Sequence, residues 1–109
     1  MKPQELFNGL TKILPTAHLF FGNEQKGNYC IYSYTEQADG SDDDVFFNKY
    51  DYTIELYTKK KDLILERKIK TFLESKQITD YEVLDSTYIE TENRLMTVFF
   101  FSCLNLKED

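Results

Sequence analysis

Side chains of the types that catalyse reactions are few in this sequence and lie far apart. Its single histidine, His18, would have to serve any Ser–His or Cys–His catalytic arrangement. His18 stands in an apolar run with no motif around it, which favours a packed or edge-strand histidine. The two cysteines, Cys30 and Cys103, lie in apolar, strand-like runs, and we expect them to be buried free thiols. We therefore expect no catalytic residues and no enzyme activity.

The sequence also predicts no metal site and no cofactor. No His/Cys cluster has the spacing of a zinc site, and none of the four glycines belongs to a phosphate-binding loop. The densest carboxylate cluster, Asp39, Asp42, Asp43 and Asp44, could hold a hard cation weakly, but it lacks the spacing of a calcium loop. A solvated acidic loop over Thr35–Asp44 is the better interpretation.

The most informative charge feature is a basic segment in an otherwise acidic chain. Residues 59–76 contain seven basic and three acidic side chains, whereas the whole chain has a net charge of -6. Three interpretations remain open: a solvated helix face with pairs such as Glu66–Lys70, a patch that meets an acidic surface on a neighbouring copy or partner, and local contact with nucleic acid. The negative net charge argues against nucleic-acid binding through the whole surface.

The elements that must position these residues follow from hydrophobic periodicity. We expect an order of α-β-β-β-α-β-β in a single domain covering residues 1–109. The expected elements are helix Pro3–Leu14, strands Ala17–Phe21, Asn28–Tyr34 and Val45–Tyr57, a helix from the N-cap Asp62 to about Lys76, and strands Tyr81–Glu90 and Arg94–Leu104.

The fold class expected from this order is α+β, with a mostly antiparallel or mixed sheet and two helices packed on one face. In the third strand, Tyr52 and Ile54 point to one face, and Glu55 and Tyr57 to the other. The second face would stay open, and joining another sheet is one way to cover such a surface. No stretch approaches the ~20 apolar residues of a membrane helix, so we expect a soluble, intracellular protein.

Two blocks, DYTIELYTKKKDLILERKIKTFLES and YEVLDSTYIETENRLMTVFFFSC, carry a family resemblance. They resemble small tail proteins of siphophages and prophages of Gram-positive bacteria, described as tail terminator, tail completion or minor tail proteins. The shared features are the strand Tyr52–Thr58, the Lys60-Lys61-Asp62 step and the Tyr88-Ile89-Glu90 hairpin. The resemblance covers residues 45–104, and the N-terminal part follows only in pattern.

The resemblance implies an α+β fold and a hexameric ring that caps the tail tube and joins it to the head connector. The implied partners are further copies of the chain, the tail-tube protein and a head-completion or connector protein. No membrane and no cofactor are implied, and DNA would only pass through the lumen. The implied location is the head–tail interface of the virion, after assembly in the host cytoplasm.

In such a ring, a strand that leads into a basic helix would present a sheet edge and a positive surface to the next copy. The candidate interface residues are Tyr52, Glu55, Tyr57, Lys59, Lys60, Lys61, Arg67 and Lys70. The acidic cluster Asp39, Asp42, Asp43 and Asp44 would face the lumen, where negative charge repels DNA. The alternatives are a small acidic regulator or inhibitor that binds a host protein, and a nucleic-acid-binding module.

Overall fold

Three long strands form the centre of the sheet, and two helices lie across one of its faces. The computed structural model describes residues 1–40 and 46–106. The elements are α1 (Pro3–Thr11), β1 (Thr16–His18), β2 (Tyr29–Gly40), β3 (Phe46–Thr58), α2 (Leu63–Ser75), β4 (Tyr81–Val83), β5 (Thr87–Ile89) and β6 (Arg94–Leu106). The strand order is β1-β2-β3-β6-β4, with β5 also paired to β6. Only β1–β2 is parallel, so the predicted mixed α+β sheet is confirmed.

Several predicted element boundaries were wrong: α1 ends at Thr11 and not at Leu14, and β1 covers Thr16–His18 and not Ala17–Phe21. The stretch Thr35–Gly40, expected to be a loop, continues β2, since each of its residues pairs with β3 up to Gly40 opposite Phe46. The partner strand overrides the low strand propensity of this polar stretch. The expected strand Tyr81–Glu90 is two short strands, both paired to β6. Asp42, Asp43 and Asp44 lie outside the described residues.

The core forms on the sheet face beneath the helices, as the alternation in the sequence predicts. In β3, Tyr52 is 1% exposed, and Ile54 and Leu56 are fully buried. In β6, Phe99 and Phe101 face the helices, whereas Phe100 faces the other side and is 38% exposed. The helices contribute the buried side chains Leu6, Leu10, Ile69 and Leu73. Cys30 and Cys103 are buried free thiols, as predicted.

Helix α2 begins at the predicted N-cap. The Asp62 carboxylate accepts a hydrogen bond from the Leu65 N–H at 2.9 Å, which satisfies one of the free donors of the first turn. Glu66 is buried on the helix, and its carboxylate pairs with the Lys61 ammonium at 2.9 Å. The Glu66 carboxylate therefore pairs with Lys61, in the segment before α2, in place of the expected Lys70. A buried carboxylate needs a partner of opposite charge.

The first residue, Met1, is hydrogen-bonded to the central strands β3 and β6. The Met1 amino group donates to Asn105 Oδ1 at 2.7 Å, and Asn105 Nδ2 donates to the Met1 carbonyl at 3.1 Å. The Tyr52 hydroxyl donates to the same carbonyl at 2.8 Å. These bonds connect α1 to β3 and β6 where no helix covers the sheet.

Arg94 fixes the long loop that joins β1 to β2. Its side chain is buried, and its guanidinium donates to the carbonyls of Gln25, Lys26, Gly27 and Glu92. It also lies over the Tyr29 ring, 5.8 Å from the centroid. Carbonyl dipoles and an aromatic face thus stabilise a charge that would otherwise be costly to bury.

The two helices approach closely at Gly9. A methyl group at this position would overlap the Phe72 ring of α2. We expect Gly9→Ala to lower the free energy of unfolding by about 1–2 kcal/mol, because the overlap outweighs the ~1 kcal/mol helix preference of alanine. Urea denaturation measures the change. In a Phe72→Leu background the overlap is relieved, so Gly9→Ala should be neutral or stabilising there; destabilisation in both backgrounds would contradict this account.

Burial makes stability sensitive to alkaline pH through Cys30. Desolvation raises the pKa of its thiol from 9.0 to about 12, while the Thr16 hydroxyl opposes the shift. The unfolded chain loses this proton above about pH 9 but the folded chain keeps it. The free energy of unfolding should therefore fall by about 1.4 kcal/mol per pH unit as pH rises beyond 9.

The measurement is urea denaturation between pH 7 and pH 10, where unfolded tyrosines, with an ordinary pKa of 10.0, also begin to ionise, so the comparison with a Cys30 variant is needed. Cys30→Ala removes the titrating group and should reduce the slope between pH 9 and pH 10 relative to the unmodified protein. An unchanged slope would assign the pH dependence to other groups.

Candidate assembly surfaces

The buried Cys30 thiol lies 3.2 Å from the Thr16 hydroxyl, two residues before His18 on the same strand. His18 is on the edge strand β1, where its ring stacks on Tyr32 and Tyr34 at centroid distances of 5.0 and 5.2 Å. The prediction of an edge-strand, packed histidine is confirmed. Within residues 1–40 and 46–106, no group of three or more His, Cys, Asp or Glu side chains is arranged to hold a metal ion. No helix in this part of the chain is long and apolar enough to cross a membrane.

The predicted interface residues fall on three separate surfaces. Lys59, Lys60 and Lys61 are exposed between β3 and α2, and Lys61 Nζ donates to Ser86 Oγ at 2.9 Å. Arg67 is exposed and Lys70 half-buried on α2. The structure therefore does not gather the basic segment into a single patch.

Glu55 and Tyr57 lie on the open face of the sheet, opposite the helices. The Tyr57 hydroxyl donates to Glu55 at 3.2 Å, and its ring stacks on Tyr29 at 4.8 Å. Burial and the Glu55 charge raise the pKa of Tyr57 above its ordinary value. Tyr52 needs correction as an interface residue, because it is 1% exposed and belongs to the core under the first residue of the chain.

The acidic cluster is only partly described. Asp39 is in β2, paired with Phe47, so this end of the cluster sits on a strand. Asp42, Asp43 and Asp44 fall outside the described residues, and their orientation toward a lumen stays a prediction.

The long strands extend beyond their edge partners. β1 pairs only with Cys30–Tyr32 of β2, whereas β4 and β5 pair only with residues 94–96 and 99–101 of β6. The outer edges of Ser33–Gly40 and of residues 102–106 therefore have no strand partner among the described residues. This uncovered part helps to give the molecule its elongated dimensions of 50 × 28 × 23 Å.

One edge of the sheet carries an apolar protrusion after β1. Leu19 and Phe20 are 58% and 71% exposed, and we call these two side chains the β1-edge patch. Phe21 packs edge-on against Tyr29 at 5.4 Å. Beside the patch is an open cavity of about 320 Å³, lined among others by Glu24 and Glu92. The carboxylates give this apolar edge a negative border.

The opposite edge carries a second apolar patch. Leu63 and Ile64, at the start of α2, are 68% and 73% exposed, and Leu84 and Tyr88, in and beside β4 and β5, are 41% and 55% exposed. We call these four side chains the β4–β5-edge patch. The bond from Lys61 to Ser86, between Leu84 and Tyr88, places the basic lysine segment next to it. This apolar edge therefore has a positive border.

Sequence reasoning missed these two patches and a basic groove. The run Leu19–Phe21 was predicted to be part of a strand. Leu63 and Ile64 are apolar but lie outside the buried face of α2, and this mismatch was the signal in the sequence that could have indicated a patch. The groove between the helices, about 780 Å³, is lined by Lys12, Arg67, Lys68 and Lys76 around Ile13 and Phe72. It unites basic residues from both helices, which a search along the sequence does not reveal.

Comparison with known proteins identifies a structural relative but no sequence family. No protein family and no curated protein sequence matches the chain. One chain in the solved structure of the virion of a native gene transfer agent particle matches with a TM-score of 0.55 and 11% sequence identity. The match covers 94% of this chain and 92% of that chain. At this identity the likeness establishes a shared fold over nearly the whole length of both chains.

Proposed function

We propose that this chain is a structural protein of a phage-like particle, of the tail-terminator kind. The observation that carries the proposal is the fold shared with a chain of a gene transfer agent virion over 94% of this chain. The resemblance of residues 45–104 to tail terminator and tail completion proteins points to the same class from independent signals. Together they favour a place in the virion, at the junction of tail and head.

The proposed mechanism is stoichiometric and not enzymatic. Copies of the chain would close into a ring, most plausibly of six, that caps the tail tube and offers a surface to the head connector. The apolar patches at opposite edges of the sheet support self-association, because large exposed apolar side chains grouped on an edge are typical of interfaces.

Native mass spectrometry over a concentration series, joined to electron microscopy of tail tubes mixed with the protein, tests this function. We expect a closed ring, either free in solution or seated at tube ends. A chain that stays monomeric in solution and leaves tube ends bare would contradict the proposal. A pull-down against host proteins would then test the acidic regulator instead.

The exposed lysines between β3 and α2, Lys59, Lys60 and Lys61, should affect mainly the rate of self-association. Replacing Lys59 and Lys60 by serine, with Lys61 kept in its pair with the buried Glu66, should slow association several-fold at low ionic strength, since steering by opposite charge raises on-rates. The difference should shrink near 1 M salt, where the Debye length is about 3 Å. Stopped-flow light scattering provides the rates.

The matched control removes two lysines elsewhere, Lys12 and Lys68 of the helix groove, and should associate at the unmodified rate. Equal slowing in both variants would mean that only total charge matters. Salt-dependent DNA binding that disappears with Lys59 and Lys60 would instead favour a nucleic-acid module.

A further inference from the structure

The two apolar edge patches lie at nearby positions along the sheet. One row of paired residues crosses five strands: His18, Tyr32, Ile54, Phe99 and Val83. Leu19 follows the first residue of this row and Leu84 follows the last. Because β1 and β4 run in opposite directions, Leu19 and Leu84 lie on opposite sides of this row, about two residues or ~7 Å apart along the strands.

A second row lies nearer the lysine segment. Tyr29 pairs with Tyr57, Tyr57 with Met96, and Met96 with Thr87. Phe21 packs on Tyr29 at one end of this row, and Tyr88 follows Thr87 at the other. The protruding loop after β1 and the β4–β5 linker thus occupy the same stretch of the sheet on opposite edges. A second copy placed beside the first brings one patch against the other after a shift of about two residues along the strands.

The backbone at Leu19 is held in a conformation that its side chain disfavours. Its φ of 70° lies in the left-handed region, where a bulky residue is rare outside functional or strained sites. Hydrogen bonds hold the turn: Leu19 N–H donates to the Tyr32 carbonyl at 3.0 Å, and Phe20 N–H donates to the His18 carbonyl at 2.8 Å. The result is a fixed turn that leaves Phe20 71% exposed. A backbone turn that is already formed loses little entropy on binding.

The borders of the two patches are complementary in charge. Glu24 and Glu92 line the cavity beside Phe20. Lys61 borders the other patch through its bond to Ser86, and Lys59 and Lys60 precede it in the chain. Arg94 lies beside Glu92, Glu66 pairs with Lys61, and Asp85 lies between Leu84 and Ser86. The charges that a head-to-tail contact brings together are therefore those of Glu24 with Lys59 and Lys60.

We propose that the β1-edge patch of one copy binds the β4–β5-edge patch of the next, with Phe20 seated against Leu63, Ile64, Leu84 and Tyr88. This inference rests on the proposed ring and names its interface. Because the two patches are different surfaces, the contact is heterologous, and repetition closes a ring or extends a filament.

The test uses two variants that each block one edge. Phe20→Asp disables the β1 edge and leaves the β4–β5 edge intact, whereas Ile64→Asp does the opposite. Both positions are more than 70% exposed, so both variants should fold, and circular dichroism and thermal denaturation check this. Leu104→Asp is the matched control, because this leucine is 65% exposed on β6 away from both patches.

We expect each blocked variant alone to be monomeric by native mass spectrometry. An equal mixture should give a one-to-one heterodimer and nothing larger, because a single competent pair of edges remains. The Leu104→Asp control should assemble as the unmodified protein does. The heterodimer is the signature of head-to-tail pairing, since a symmetric contact leaves no competent pair in the mixture.

The other outcomes separate this inference from the proposed function. Rings that persist in either blocked variant would contradict the proposed interface but would leave the proposed function intact. Homodimers of one variant, or a mixture that stays monomeric although the unmodified protein assembles, would overturn the head-to-tail arrangement. An unmodified protein that never associates, alone or at tube ends, would overturn both.

Discussion

A mismatch of lengths governs this structure: two short helices cover a sheet whose central strands are far longer than they are. α1 has nine residues and β3 has thirteen, which correspond to roughly 14 Å of helix against 43 Å of strand. The helices therefore bury only part of one face. The apolar core, with Ile54, Leu56 and Phe99, is confined to that part, and the rest of the sheet is stabilised by other means.

Aromatic side chains belong to the same core as the aliphatic ones. A continuous aromatic row runs across the sheet, with His18 stacked on Tyr34, Tyr34 against Tyr52, and Tyr52 stacked on Phe101. Hydrogen bonds from Tyr52 and Asn105 to Met1 continue this arrangement. β1, β4 and β5 are likewise too short to cover the edges of the sheet. The surfaces available to partners therefore lie at these edges.

The sequence predicted the parts of this fold that depend on local patterns. Alternation in β3 and the Asp62 N-cap both rest on neighbouring residues. The extension of β2 to Gly40 could not be predicted in the same way, because it depends on pairing with β3. The burial of Tyr52 as a hydrogen-bond donor to Met1 depends on residues 51 positions apart.

The candidate surfaces were harder to predict than the fold. The lysine segment was visible as a run of charge, but its position beside Leu84 and Tyr88 depends on the Lys61–Ser86 bond. The pairing of opposite edges depends on register across five strands, which no local pattern encodes. Sequence reasoning identified the charged border of one patch and missed the apolar side chains within both.

The central strands β3 and β6 are far apart in the sequence, which affects the order in which the sheet forms. β2 and β3 are neighbours in sequence, but β3 pairs with β6 only after α2, β4 and β5 have intervened, with Thr53 opposite Phe100. Contacts that join distant segments form slowly, because a long loop must close before they contribute free energy. Since β4 and β5 attach only to β6, one complete edge of the sheet does not exist until this late step. A subunit with both sheet edges available for association therefore forms only after β3 has paired with β6.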